Sequence, residues 1–432
     1  MWELFIRLFL LVVFFLLLVG GNVSFAAGTT QLLEALRDPA GVPFYPVVMQ
    51  VLQVITFALH ITFAYASVGG LLVALFGFTR KDERWQRLAQ ASLELAKVSV
   101  SLAIVLGVAP LLFYQVIYDS LWYASANLSA AWYVMFIVLL LIGYYFTWGA
   151  YFMKQKPAVA TVLTFLGVVF LLWVGFIIHV VNYQALYPEK WVEWYTNGGT
   201  TMNTSGWNIY AFNIFRYVAF LVAPALTCTG IFLMLYGWYF RGREDMDQSY
   251  LEWASHVGAK LALPSAAVWL LSYFLYVLSI PSDWNAKGSI FTLLGGMGII
   301  LTLGMLFVSM KNPVKMALPS LVASGVAIIL ISVFREYLRL ASTARFGYSP
   351  YNHKLNLEFL SPLLFFGTLA TGLILYAYAW WMAYRAGKVP KGKVVEATET
   401  EHHLGDLSVF VVTLWAVVFI GVGLIVIVKN YG

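Results

Sequence analysis

The sequence predicts an all-α protein, a polytopic bundle of about ten transmembrane helices in a single domain. Three observations predict it. Charged residues make up 11% of the 432 residues and hydrophobic residues 61%, whereas an ordinary globular chain is about 25% charged. Mean hydropathy is +0.81, and apolar runs recur that can each cross a ~30 Å hydrocarbon core, which takes about 20 helical residues. The loops between these runs sort into a cation-rich set and a cation-poor set. A disordered, collagen-like or disulfide-stapled chain is excluded. The net charge of +6 follows from basic loops and gives no reason to invoke nucleic acid.

Taken in order, residues 1–26 read as a signal peptide or as an uncleaved anchor helix. A short run from Leu8 to Val19 follows Arg7, and Ser24-Phe25-Ala26 fits a small-x-small cleavage site. Either reading leaves residues 27–45 outside. Residues 27–432 form the transmembrane domain, with spans expected at 47–78, 90–117, 129–153, 158–182, 211–240, 260–280, 288–310, 315–341, 358–385 and 406–428. One set of loops carries Arg80, Lys81, Arg84 and Arg87, then Lys154 and Lys156, Arg241 and Arg243, Lys311 and Lys315, and Arg385 to Lys393. The positive-inside rule places this set in the cytoplasm, so both mature termini are expected outside, in an inner-membrane protein. The external segments 183–210 and 342–357 are rich in Trp, Tyr, Asn and Gly and read as folded caps. Cys228 is the single cysteine, so no internal disulfide, cysteine-ligated cluster or C-x-x-C-H haem attachment is available.

Charge at membrane depth is costly and asks for a reason. Counted from the basic end of each helix, His60 lies 20 residues above Arg80 and Arg335 lies 20 above Lys315. His179 lies 23 above Lys156, and Arg216 lies 25 above Arg241. At 1.5 Å per residue these are depths of roughly 30–37 Å. Four helices therefore place two histidines and two arginines in one outer layer, joined by Glu336 and Arg339. Two imidazoles with arginines nearby suit a non-covalent haem b, the imidazoles ligating iron and the arginines neutralising propionates. The same set suits a quinone, with a carboxylate or imidazole taking the hydroxyl proton and an arginine polarising the carbonyl.

Plainer readings stand beside these. A lone transmembrane histidine commonly makes an interhelical hydrogen bond. Arg335, Arg339 and Arg345 can snorkel to headgroups, and Arg335 with Glu336 can be a structural ion pair. Glu94 and Lys97 read as a structural pair. Met297 is flanked by Gly295, Gly296 and Gly298, which would admit a flat macrocycle, although core packing explains it too. Gly69-Gly70 and Gly295-Gly296 read first as close helix packing.

The stretch His60 to Gly70, followed by a basic loop and a helix that ends in Gly107-Val108-Ala109-Pro110, resembles subunit I of cytochrome bd quinol oxidases. The segments 173–182, 207–216 and 334–339, the last leading into Tyr348-Ser349-Pro350-Tyr351, extend the resemblance in order over most of residues 45–385. The likeness is closer to the shorter bd-oxidase-like membrane subunits encoded beside multihaem cytochromes c. The resemblance implies that His60 is a haem ligand and that Met297 falls near the family's methionine ligand. It departs in three places. Arg216 stands where the oxidases carry the histidine partner of that methionine. Leu111, Leu112 and Gln115 occupy the neighbourhood of their acidic pair. The long external quinol loop has no counterpart.

The expected function is a membrane subunit of a respiratory electron-transfer complex. It would pass electrons between the quinone pool and an extracytoplasmic multihaem cytochrome c, as a quinol/quinone oxidoreductase subunit. His60, His179 and Met297 are the candidate metal ligands. Arg216 and Arg339 would hold the cofactor, and Glu336 and Arg335 would handle the proton and ring charge. The alternatives are subunit I of a bd-type terminal oxidase, or a cofactor-free anchor for a soluble redox partner. A transporter finds no support, because neither an inverted repeat nor a mid-membrane carboxylate cluster is visible.

Overall fold

The computed structural model describes residues 27–431, so the signal-peptide or anchor reading of residues 1–26 lies outside the described residues. Among these, ten helices are long and apolar enough to cross a membrane. A short helix α1 (Ala27–Ala35) precedes α2 (Pro46–Phe78) and α3 (Glu83–Ile117). The short α4 (Asp119–Leu128) leads into α5 (Ala130–Phe152) and α6 (Pro157–Gln184). A one-turn α7 (Trp191–Tyr195) lies in the cap before α8 (Ile214–Phe240). Then come α9 (Gln248–Ser279), α10 (Ile290–Ser309), α11 (Pro313–Ala344), α12 (Leu360–Ala386) and α13 (Glu399–Tyr431).

The ends of these helices follow local chemistry. Pro46, Pro157 and Pro313 open their helices, where a missing N–H costs nothing. Asp82, Asp247, Ser289 and Asn312 cap theirs, each side chain accepting from a backbone N–H of the first turn. Three helices start earlier than the apolar runs suggest, α3 at Glu83 instead of 90, α9 at Gln248 instead of 260 and α13 at Glu399 instead of 406. Charge keeps these turns out of hydrocarbon but does not prevent helix formation, and the caps at Asp82 and Asp247 set the true starts. Helix α13 begins with a reciprocal capping box. The Thr398 N–H donates to Glu401 Oε2 (2.8 Å) and the Glu401 N–H donates to Thr398 Oγ1 (3.3 Å). Glu401 also accepts from Trp381 Nε1 (2.6 Å) and pairs with Arg385, clasping α13 to α12.

Consecutive helices pair as α2/α3, α5/α6, α8/α9 and α10/α11, and α2 sits centrally, touching α3, α6, α8 and α11. Close approach rests on glycine. A Cβ on Gly69 would come within 2.4 Å of the Ala225 carbonyl oxygen. Gly230 and Gly258 face each other so closely that a Cβ on either would lie 2.5 or 2.4 Å from the other's carbonyl oxygen. Helices α12 and α13 lie at the periphery. Helix α12 reaches the bundle through aromatic contacts such as Phe63 with Trp380 and Phe113 with Phe365, and α13 packs on α12.

The basic loops gather at one end of the bundle and a folded cap closes the other. In the cap, α1 packs through Leu33, which is fully buried, and Thr30 Oγ1 donates to the Phe346 carbonyl (2.8 Å). Val42 and Leu355 form a parallel bridge. Arg345, which the sequence allows as a headgroup anchor, instead clamps Glu189 (2.7 Å) and Asp283, joining three cap segments. At the basic end Glu94 pairs with Lys154 (2.7 Å) and not with Lys97, whose ammonium lies 3.3 Å from the centre of the Tyr151 ring. Replacing Gly230 with Ile should push α8 from α9 and lower unfolding stability in detergent by about 1–3 kcal/mol, the usual cost of overpacking; an unchanged melting curve would contradict the packing described.

Candidate functional site

The site is a polar layer just beneath the cap, and it starts from a stripe on α2. Gln50, Gln53, Phe57 and His60 recur at helical spacing along one face. Helix α11 sets Arg335, Glu336 and Arg339 against this face, and α6 contributes His179 and Asn182. Glu336 is 2% exposed. It accepts from Gln50 Nε2 (3.2 Å), from the Tyr118 hydroxyl and from Arg339. Gln50 in turn donates to the Tyr118 oxygen (2.7 Å) and accepts from the Tyr351 hydroxyl (2.6 Å), so the network ends at an exposed tyrosine of the cap. The partner of Glu336 is therefore Arg339, one turn on, and not Arg335, its chain neighbour. Three donors converge on the carboxylate, which leaves it poorly placed to take a proton from a ligand, contrary to the role expected for it.

Arg335 turns the other way. Its Nη2 donates to Asn182 Oδ1 (2.8 Å) and its guanidinium carbon stands 3.9 Å from the centre of the Phe57 ring. His60 lies beyond Phe57 on α2. Its Nδ1 is 2.8 Å from the Ala103 carbonyl oxygen; a carbonyl only accepts, so Nδ1 carries the proton and Nε2 presents the lone pair. Gly107 makes room for the ring, since a Cβ there would lie 2.8 Å from it. A backbone carbonyl holding the far nitrogen is the support that metal-ligating or proton-accepting histidines use, so His60 fits either role.

His179 is held differently. The Asn213 backbone N–H points at Nε2 (3.1 Å) and Arg216 Nη1 lies 3.0 Å from Nδ1. Both neighbours offer protons and a neutral ring has one lone pair. Whichever donor takes it, none is left for iron, so the expected ligation by His179, and a haem held between His60 and His179, do not fit. Arg216 depends on the start of α8. Asn213 caps that start, its side chain accepting from the Arg216 N–H (3.0 Å) while its Nδ2 donates to Ser279 (2.8 Å). One turn on, Val218–Val222 forms a π turn. Pro224 has no N–H to give Phe220, and the Tyr65 hydroxyl donates to that carbonyl instead (2.8 Å).

The structure thus brings His60, His179, Arg216, Arg335, Glu336 and Arg339 into one layer. It does not bring Met297, which is 61% exposed. The buried stripe of α10 runs through Gly295, Gly298 and Thr302 and turns Met297 away, so Met297 does not fit as a ligand in this layer. Sequence reasoning passed over Gln50, Gln53, Tyr118 and Asn213. Two glutamines at i, i+3 in an otherwise apolar span were the available signal. Gln53 is 2% exposed and its carbonyl oxygen makes no hydrogen bond among the described residues.

The charges do not balance. Among the described residues Glu336 is the carboxylate ion-paired in the layer, and it takes Arg339. Arg216, 5% exposed, has an imidazole and the Phe220 and Tyr183 rings for company, and Arg335 has an amide oxygen and a ring. Arg339 and Arg216 repel Arg335, and the Glu336 carboxylate opposes this only in part. The layer has the electrostatics of an anion site.

A second polar cluster lies in the cap above. His353 Nε2 is 3.2 Å from the Ile117 carbonyl and 3.8 Å from Asp119 Oδ1. Asp119 also accepts from the Asp38 N–H (2.6 Å). Burial pushes the His353 pKa below its ordinary 6.5, Arg37 adds to this, and Asp119 opposes it. Comparison with protein-family models and with curated proteins finds no match for the chain.

Two predictions follow from these geometries. Glu336→Ala strands Arg339 without its counter-charge, so unfolding stability should drop by about 3–5 kcal/mol; a loss under about 1 kcal/mol would mean that Glu336 is not what answers the buried charge of Arg339. The folded protein binds fewer protons at His353 than the unfolded chain does. The stability it contributes is present above 6.5 and is lost as pH falls through that value toward the lower folded pKa. Proteolysis within 345–359 should therefore quicken between neutral and mildly acid pH, and His353→Gln should flatten that dependence.

Proposed function

We propose that the chain is a membrane subunit of a respiratory electron-transfer complex. In this reading it exchanges electrons between the quinone pool and an extracytoplasmic multihaem cytochrome c seated on the capped end. The observation that carries the reading is the buried cationic layer, with two guanidiniums that pair with no carboxylate among the described residues and a histidine, His60, whose Nε2 has no partner among them. A quinone head group matches this chemistry. His60 Nε2 takes the hydroxyl proton of a quinol. Arg335 stabilises negative charge on the ring oxygen as that proton leaves. Phe57 and Asn182 hold Arg335 in place, and the Gln53 carbonyl can accept from the second hydroxyl. Glu336 and Arg339 keep α2, α3 and α11 in register, so in this reading they support the site from behind.

A second reading is haem b ligated by His60, favoured by the hydrogen bond from Nδ1 to the Ala103 carbonyl. Arg216 and Arg335 would then face the propionates. The group, when bound, supplies a one-electron carrier. The family resemblance to bd-type subunits is compatible with either reading. A terminal oxidase asks for more haem ligands than this layer offers.

Binding of a quinol-analogue inhibitor to the full chain in lipid should weaken tenfold or more in Arg335→Leu, the loss of one charged hydrogen bond of about 1.5–3 kcal/mol. His60→Gln should remove the pH dependence of that binding. A reduced-minus-oxidised b-type spectrum that disappears in His60→Gln but survives in His179→Gln would select the haem reading. If the variants bind the analogue as the wild type does and no redox spectrum appears, the chain is a cofactor-free anchor and both readings fall.

A further inference from the structure

At the opposite end from the polar layer, where α8 and α12 finish, a cavity of about 570 Å³ opens between α3, α8 and the segment joining α12 to α13. Its floor is apolar, made by Ala91, Tyr236, Phe240, Met246 and Val389. Its rim carries Arg243, Lys391, Lys393 and Glu94. The electrostatics of the rim depend on which of these charges are already answered. Glu94 is bound by Lys154 (2.7 Å). Arg243 meets Asp245 through two hydrogen bonds, Nε to Oδ1 (2.7 Å) and Nη2 to Oδ2 (2.9 Å), and its Nη1 donates to the Gly387 carbonyl (3.1 Å). These two pairs cancel.

Lys391 and Lys393 are what remains. Asp245 accepts from the Lys391 backbone N–H (2.9 Å), which ties this turn to the loop between α8 and α9. Gly392 sits between the lysines at φ +88°, a left-handed conformation that favours glycine and turns the chain sharply there. The side chain of Lys391 makes no ion pair among the described residues. Lys393 reaches Glu244 only at 3.7 Å, with both side chains more than half exposed. The backbone is therefore held while Lys391 has no ion pair among the described residues and Lys393 keeps only a long, exposed one with Glu244, above an apolar floor. A cation pair over a hydrocarbon-compatible cavity, at the level where the helices leave the membrane, matches the two halves of an anionic amphiphile.

We propose that this cavity binds a phosphate-bearing anion, with Lys391 and Lys393 on the phosphate and the floor of Ala91, Tyr236 and Phe240 beneath it. The apolar floor favours the headgroup region of an anionic phospholipid over free phosphate. The site lies at the other end of the molecule from the proposed quinone layer and stands or falls independently of it.

The test is retention of lipid. The full chain is reconstituted in vesicles of equal parts phosphatidylcholine and phosphatidylglycerol and extracted again, and the lipid carried with it is measured. The wild type should carry phosphatidylglycerol in preference. Retention should fall roughly fivefold for each of Lys391→Ala and Lys393→Ala, the factor that one cation near an anionic surface contributes. The control Lys311→Ala, in another basic loop, should retain lipid normally. Ala91→Trp fills the floor and leaves both lysines, so it should also abolish retention if the phosphate belongs to a lipid. Inorganic phosphate that displaces phosphatidylglycerol, with Ala91→Trp behaving as wild type, would assign the same cations to free phosphate. If the two lysine variants retain as much phosphatidylglycerol as Lys311→Ala, the proposal is overturned.

Discussion

A guanidinium held away from water is the constraint around which this bundle is arranged. Such a group needs either a counter-charge or a full set of acceptors and rings, because desolvation otherwise outweighs everything nearby. Three arginines answer this demand in three ways, Arg216 only in part, since its buried Nε has no hydrogen-bond partner among the described residues. Arg339 takes a carboxylate one helical turn away. Arg335 takes an amide oxygen from α6 and a phenyl face from α2. Arg216 takes an imidazole and two aromatic rings. Arg335 draws on α2 and α6, Arg216 on α6, and Glu336, held by Arg339, reaches Gln50 on α2, so satisfying the arginines helps fix how α2, α6, α8 and α11 meet. The glycine contacts deeper in the bundle permit that approach without dictating its rotation.

The spans were legible because apolar runs and basic loops alternate with a clear period, and the shared depth of the histidines and arginines followed from counting along the helices. Partner choice was legible in principle too. Residues one apart on a helix diverge by about 100°, whereas residues three apart face alike, so Glu336 belongs with Arg339. Met297 follows the same rule, since Gly295, Gly298 and Thr302 define the inward stripe and Met297 lies off it. Other features had no local signal. Whether a histidine nitrogen is open or blocked depends on a carbonyl of α3 in one case and a backbone N–H of residue 213 in the other. The clamp at Arg345 joins residues 189, 283 and 345, and no spacing rule connects those. The early starts of α3 and α9 were hidden because hydropathy reports where hydrocarbon ends, not where a helix does.

The two ends of the molecule solve different problems. At the capped end, polar groups are buried under folded segments and their partners are specified one by one. At the basic end, cations are left in contact with water and headgroups, and their number matters more than their geometry. Glu401 and Asp245 are the exceptions, because Glu401 ties α13 to α12 and Asp245 ties the turn at Lys391 to the loop between α8 and α9. They hold in place the peripheral pair α12 and α13, which buries little else.

The π turn at Val218–Val222 has a consequence for how the chain tolerates change in length. Such a turn holds one residue more than a regular helical turn, and each residue rotates what precedes it by about 100°. The extra residue is therefore what aims Arg216 at His179. Losing any one residue between 218 and 222 would leave a straighter and more regular helix, yet it would swing the arginine out toward lipid. In this segment a deletion that improves the local backbone dismantles the polar layer, so the length of the turn is under tighter constraint than the identity of its apolar side chains.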